Sequence, residues 1–82
     1  MVGTLHIRFF GPAREWTGRD DVQIDIASGM TVGSVAGMLA EQYPRLANVG
    51  GVRLAVNRSF VPLSTLVKAG DEVAVIPPVS GG

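Results

Sequence analysis

"GDEVAVIPPVSGG", Gly70 to Gly82, is the stretch whose reading decides the fold. Gly70-Asp71 has the composition of a turn, and Val73 to Ile76 reads as a strand. Two prolines follow. Without N–H groups, Pro77 and Pro78 end ladder pairing and stiffen the exit. Val79, Ser80, Gly81 and Gly82 complete a thin segment with little to pack. The expected organisation is therefore one folded domain over residues 1–76 and a projecting C-terminal tail over residues 77–82.

Working back from that strand, the rest of the chain supplies a sheet and a helix. Leu5, Ile7 and Phe9 alternate with His6, Arg8 and Phe10, the period of a half-buried strand. Gly11-Pro12 closes it, with Pro12 at the first position of a short helical turn that runs through Trp16 and ends at Gly18. Val22, Ile24 and Ile26 alternate with Asp21, Gln23 and Asp25 as a second strand directed toward the same core. Ser28-Gly29 is a turn. Thr31 reads as a helix N-cap, followed by Val32, Val35, Ala36, Leu39 and Tyr43 on one helical face. Gly33 and Gly37 each weaken this helix by roughly 1 kcal/mol relative to alanine, and close approach of helix to sheet is their expected use. Tyr43-Pro44 stops it. Asn48 to Gly51 reads as a flexible loop, and Val52 to Val61 as a hairpin pivoting at Asn57-Arg58 with Leu54 and Val56 inward. Leu63, Leu66 and Val67 form a loose apolar connection to the last strand. The fold class is α+β, a mixed sheet with one main helix packed across it.

Composition narrows the function classes. The chain has 82 residues, enough for one core, and is 46% hydrophobic and 17% charged. Its mean hydropathy is positive, so disorder of the whole chain is not expected. Seven basic and seven acidic residues cancel, and the basic ones are scattered. Neither nucleic acid nor an anionic membrane is an expected partner. No apolar run approaches the roughly 20 residues of a membrane span, and the N-terminus lacks the pattern of a secretory signal. There are no cysteines, which removes disulfides, thiolate metal sites and cysteine nucleophiles. His6 is the single histidine and reads as a solvated strand residue, so no metal site and no cofactor are expected. The expected compartment is the cytoplasm.

One helix covers one face of such a sheet. The alternation gives Leu5, Ile7, Phe9, Val73 and Val75 to the covered face. Phe10, Ile76 and Phe60 are left near the opposite face, beside the tail. Apolar residues clustered there point to a partner surface.

These residues carry a resemblance. "RFFGPAREWTG" (Arg8 to Gly18) resembles the F-F-x-x-x-R-E-x-x-G opening of the small, sulfur-carrying subunit of molybdopterin synthase. "VNRSFV" resembles that family's hairpin, and "AGDEVAVIPPVSGG" its last strand and tail. The likeness spans the whole chain. Its specific part is G-D-E-V-A with P-P-V-x-G-G. Gly11-Pro12 departs from the family pattern, replacing the alanine-bearing turn common after the two phenylalanines. The resemblance implies a ubiquitin-like β-grasp fold. It also implies that the Gly82 carboxylate is adenylated by an ATP-dependent, ubiquitin-activating-like enzyme and converted to a thiocarboxylate by a sulfur donor system. The sulfur would then pass to a pterin precursor in complex with the large synthase subunit, which would hold the catalytic residues. Gly81 and Gly82 would let the tail thread a narrow channel. Phe10, Arg14, Phe60, Ile76, Pro77, Pro78, Val79 and Ser80 would face partners, Arg14 on the surface used by the activating enzyme.

Competing readings stay open at this point. A β-grasp sulfur carrier could serve thiamine, cysteine or tRNA thiolation, and a ubiquitin-like modifier could be joined to lysines by an isopeptide bond. Asp71-Glu72 reads as turn chemistry, Trp16 as packing beside the short helix, and Gly29, Gly50 and Gly51 as turn glycines.

Overall fold

The apolar alternation builds the sheet it predicts. In the computed structural model, which describes residues 3–47 and 53–77, Leu5, Ile7 and Phe9 are buried along one face of β1 (Gly3–Phe9). A six-residue helix, α1 (Pro12–Thr17), begins at Pro12, ends at Gly18 and leads into β2 (Asp21–Ile26). The main helix α2 (Val32–Gln42) is followed by a second short helix, α3 (Pro44–Ala47). Then come β3 (Arg53–Val56), β4 (Ser59–Phe60) and β5 (Glu72–Ile76). Val52, at the expected start of the hairpin, lies outside the described residues, as does the Asn48–Gly51 loop.

The strands form one sheet in the order β2-β1-β5-β3-β4. β1 and β5 run parallel in the middle; the other neighbours are antiparallel. A parallel pair needs a long crossover, and α2 lies in that connection. This is the expected mixed sheet with one main helix on it, the β-grasp arrangement.

Register puts two rows of side chains under the helices. Ile7 pairs with Val73 and Phe9 with Val75, while Leu54 and Val56 pair with Val75 and Val73 from the other side. All six are buried, together with Val35 and Leu39 of α2. Each core residue expected from the sequence is thus in the core. Val32, Ala13, Leu46 and Val67 join it, and Trp16, Val22, Ile24 and Tyr43 pack around it half-buried. Phe9 and Tyr43 meet edge to face, ring centroids 5.6 Å apart, the geometry that aromatic quadrupoles favour.

Three expectations need correction. The segment after β4 is not a loose connection. Only Val67 of its three apolar residues is buried; Leu63 and Leu66 are exposed. The segment is held by its backbone, whose carbonyls at Thr65 and Leu63 accept from Val32 N and Gly33 N at 2.8 and 2.9 Å. Thr31 Oγ1 accepts from Ser34 N and Thr31 O from Val35 N. Three of the N–H groups that a helix start leaves unpaired, those of Val32, Gly33 and Ser34, therefore have partners, and Val35 N makes the first bond of the helix itself. Second, Gly33 approaches this segment and not the sheet. A side chain there would stand 3.3 Å from Leu63 O, whereas at Gly37 nothing lies within 4 Å. Third, α2 does end at Tyr43-Pro44, but Pro44 opens α3, which delivers Leu46 to the core. Proline suits a first helical position, where its missing N–H is not needed.

Thr31→Ala should cost about 1 kcal/mol, the worth of a side-chain cap, measured by denaturant unfolding. An unchanged midpoint would mean that the two backbone carbonyls hold the helix start without it.

Candidate functional site

The site is assembled on the sheet face that the helices leave open. Register assigns its members: Arg8 lies beside Ala74, Ala74 beside Ala55, and Ala55 beside Phe60, one row across four strands. The next row places Ile76 beside Arg53. Phe10 follows directly after the Phe9–Val75 pair, and its N–H donates to Val75 O at 3.2 Å, extending the ladder by one step. Phe10 is 40% and Phe60 52% exposed, while Ile76 is half-buried between them. Ala55 is buried yet stands apart from the core cluster, as expected for a small residue on the opposite face. The three apolar residues expected near a partner surface are brought together on one face, at the end of the sheet where β5 stops.

Two arginines frame this patch. Arg8 Cζ lies 5.3 Å from the centroid of the Phe10 ring, and Arg53 Cζ 4.1 Å from that of Phe60, within cation–π range. Arg8 also approaches Glu72 at 3.8 Å. Neither was singled out by sequence reasoning. For Arg53 the signal lay in strand parity, two positions before Ala55, usable only once the hairpin register is fixed. Away from the patch, the open face is polar. His6 Nε2 is 3.0 Å from Asp21 Oδ2, a pairing across β1 and β2 that makes His6 a partnered surface residue.

Turn chemistry holds the far edge. Asn57 and Arg58 both have positive φ, 49° and 72°, as a tight two-residue hairpin requires. The Asn57 amide donates to Asp71 Oδ1 and its oxygen accepts from Glu72 N. Asp71 Oδ2 also accepts from Lys68 N at 2.8 Å. Asp71 is occupied in shaping the entry to β5, as its sequence context suggested.

Beside the patch, Gly11 turns the chain with φ 54° and ψ −135°, a backbone conformation that favours glycine. A side chain on it would face Pro77 Cγ at 3.6 Å. The departure at Gly11-Pro12 therefore sits against the first residue of the tail. Arg14, one turn further on, is exposed with Gly11, Pro12, Glu15 and Asp20 around an open depression of about 440 Å³. Of the expected tail residues, Pro77 is described and half-buried. Pro78, Val79, Ser80, Gly81 and Gly82 lie outside the described residues. Among the described residues no cluster of three or more His, Asp or Glu could hold a metal, and no helix is long and apolar enough to cross a membrane.

Comparison with known proteins agrees with this geometry. The family model described as the ThiS family matches residues 7–82. The molybdopterin synthase sulfur carrier subunit of Mycobacterium tuberculosis is 40% identical over 82 residues, covering 95% of this chain and 96% of the relative. A putative molybdopterin converting factor, subunit 1, from Pyrococcus furiosus superposes with TM-score 0.86 at 26% identity over 94% of this chain and 99% of that one. The small archaeal modifier protein 1 of Haloferax volcanii superposes with TM-score 0.82 at 27% identity, over 94% and 99%. A chain of the protein–protein complex of subunits 1 and 2 of the molybdopterin-converting factor from Helicobacter pylori matches with TM-score 0.65 at 28% identity, over 96% of this chain and 99% of that one. Fold and open apolar face together define a ubiquitin-like β-grasp protein. The chain belongs to the ThiS family.

Proposed function

We propose that this chain is a sulfur carrier for molybdopterin synthesis, acting in the cytoplasm as the small subunit of the synthase. The observation that carries the reading is the placement of Phe10, Ile76 and Phe60 on one uncovered face, at the end of the strand that leads into the tail. The 40% identity to a molybdopterin synthase sulfur carrier subunit supports it.

In this reading residues 1–76 are the domain and residues 77–82 the projecting tail. A carboxylate is a poor electrophile, so an ATP-dependent adenylating enzyme first converts the Gly82 carboxylate to an acyl adenylate, releasing pyrophosphate. A sulfide equivalent from a sulfur donor system then attacks the carbonyl and expels AMP, leaving a thiocarboxylate. In complex with the large subunit, the tail delivers that sulfur to the pterin precursor. This chain supplies the sulfur and half of the interface; the groups that act on the pterin belong to the partner. Gly81 and Gly82 give the tail the slenderness and backbone freedom to enter a narrow channel, and Pro77 and Pro78 stiffen its departure, with Val79 and Ser80 between. Arg14, on the exposed side of α1, is assigned to the surface met by the activating enzyme. The likeness to the archaeal modifier protein favours a second reading, in which the same terminus is joined to lysines.

Calorimetry against the large synthase subunit of the same organism tests the interface. Phe10→Ala should weaken the complex roughly thirtyfold, the loss typical of a buried aromatic anchor. The free chain should melt almost unchanged, because the ring is already 40% exposed. Unaltered affinity together with an unfolded monomer would place Phe10 in the core and remove the proposed interface.

A further inference from the structure

On the open face two charged side chains, Asp25 on β2 and Arg53 beside the apolar patch, have no oppositely charged partner among the described residues. Elsewhere on this face His6 is paired with Asp21 and Arg8 with Glu72. Arg53 is not. Among the described residues no carboxylate lies within 4.0 Å of its guanidinium, which is held instead over the Phe60 ring. Its strand neighbour on this face is Ile76. A guanidinium stacked on a ring uses its planar face there, while its N–H donors point outward around the rim. Arg53 therefore stands inside the apolar patch with no carboxylate partner among the described residues for its fork of donors, and its position is fixed by the ring.

We propose that the partner surface docking on Phe10, Ile76 and Phe60 carries a carboxylate that accepts the Arg53 guanidinium, and that this pair sets which partner fits. The inference rests on the interface reading above and assigns the carboxylate to the large synthase subunit. The physical ground is desolvation. A partner that covers Ile76 and Phe60 also removes water from Arg53, and a charge stripped of water without an opposite charge strongly opposes binding. A carboxylate in the right place turns that penalty into a pair of charge-assisted hydrogen bonds with the geometry arginine provides. A wrong partner, apolar at this point, is rejected by the same charge. Arg8 does not play this part, because Glu72 already offsets it.

Isothermal calorimetry of the full-length chain with the large subunit, at low and high salt, tests the pair. Arg45→Glu, the same charge change on α3 in the helical layer, is the control for general electrostatics. Arg53→Glu should weaken the complex about thirtyfold or more, against a change of less than about twofold for Arg45→Glu, as expected of a charge outside the interface. Arg53→Lys should recover part of the loss, keeping the charge but not the fork, and thermal melts of the free variants should match the parent. Three outcomes overturn the inference. Arg53→Glu could bind as the parent does while Phe10→Ala is weakened, which leaves the interface and removes the carboxylate. Arg53→Glu and Arg45→Glu could lose affinity equally, which makes the effect one of net charge. Arg53→Glu could keep its affinity for the large subunit but lose adenylation, which assigns the carboxylate to the activating enzyme. Failure of the parent chain to bind the large subunit would instead contradict the interface reading itself.

Discussion

Replacing Leu39 by alanine should lower the stability of the folded chain by about 2–5 kcal/mol, the range for deleting a large aliphatic side chain from a packed core. Leu39 is 2% exposed and belongs to the cluster formed by the inner faces of β1, β5 and β3 with α2. Its loss removes the transfer free energy of the side chain and leaves a cavity. The surroundings resist collapse, because α2 is fixed at its start by the backbone of the β4–β5 connection and Tyr43 N donates to Leu39 O at its end. An 82-residue domain has one such core, so this cost is a large share of its total stability. Urea unfolding followed by circular dichroism measures it. A variant that unfolds with the parent's midpoint would mean that Leu39 does not face the sheet.

The second large effect leaves stability alone. Deleting Gly82, or appending one residue after it, should abolish sulfur transfer while the domain melts as before. The reason is chemical: the proposed thiocarboxylate forms only on a carboxylate presented at the end of the Gly-Gly tail, and an added residue moves that group and gives it a side chain. The core cluster of the described residues runs from Leu5 to Val75, so the domain is expected to melt as the parent does. Phe10→Ala and Gly82 deletion are therefore opposite defects. The first should leave a tail that is activated but poorly delivered, the second a partner that binds but receives no sulfur. Molybdopterin formation in a reconstituted mixture, measured beside binding, separates them. An extended variant that supports full synthesis without being trimmed would remove the tail chemistry.

Much of the fold was legible because its strands alternate strictly. Leu5-Ile7-Phe9 and Val73-Val75 needed only period two to be placed on the covered face, and Thr31 announced the helix by its hydroxyl. The apolar patch was legible for the same reason, since Phe10 and Ile76 fall out of phase with the core set. The errors came where backbone and not side chains did the organising. Leu63 and Leu66 suggested loose apolar packing, yet the segment is fixed through its carbonyls on Val32 and Gly33, a role that no side-chain pattern records. Gly33 was correctly marked as a close approach but assigned to the wrong neighbour, because sequence spacing does not say what lies opposite. Helix α3 escaped notice since Pro44 stops one helix and starts another with the same ring. Arg53 was not singled out because its place on the open face follows only once the hairpin register is fixed, and its lack of a carboxylate neighbour among the described residues is a tertiary fact.

The central claim, that Gly82 carries sulfur, is tested most directly by intact-mass spectrometry of the full-length chain. The chain would be incubated with the adenylating enzyme, ATP and a sulfur donor. The account predicts replacement of one oxygen by sulfur, located in the C-terminal peptide and absent when ATP is withheld. A mass that stays that of the carboxylate while the adenylate forms and turns over, or sulfur found elsewhere in the chain, would contradict it.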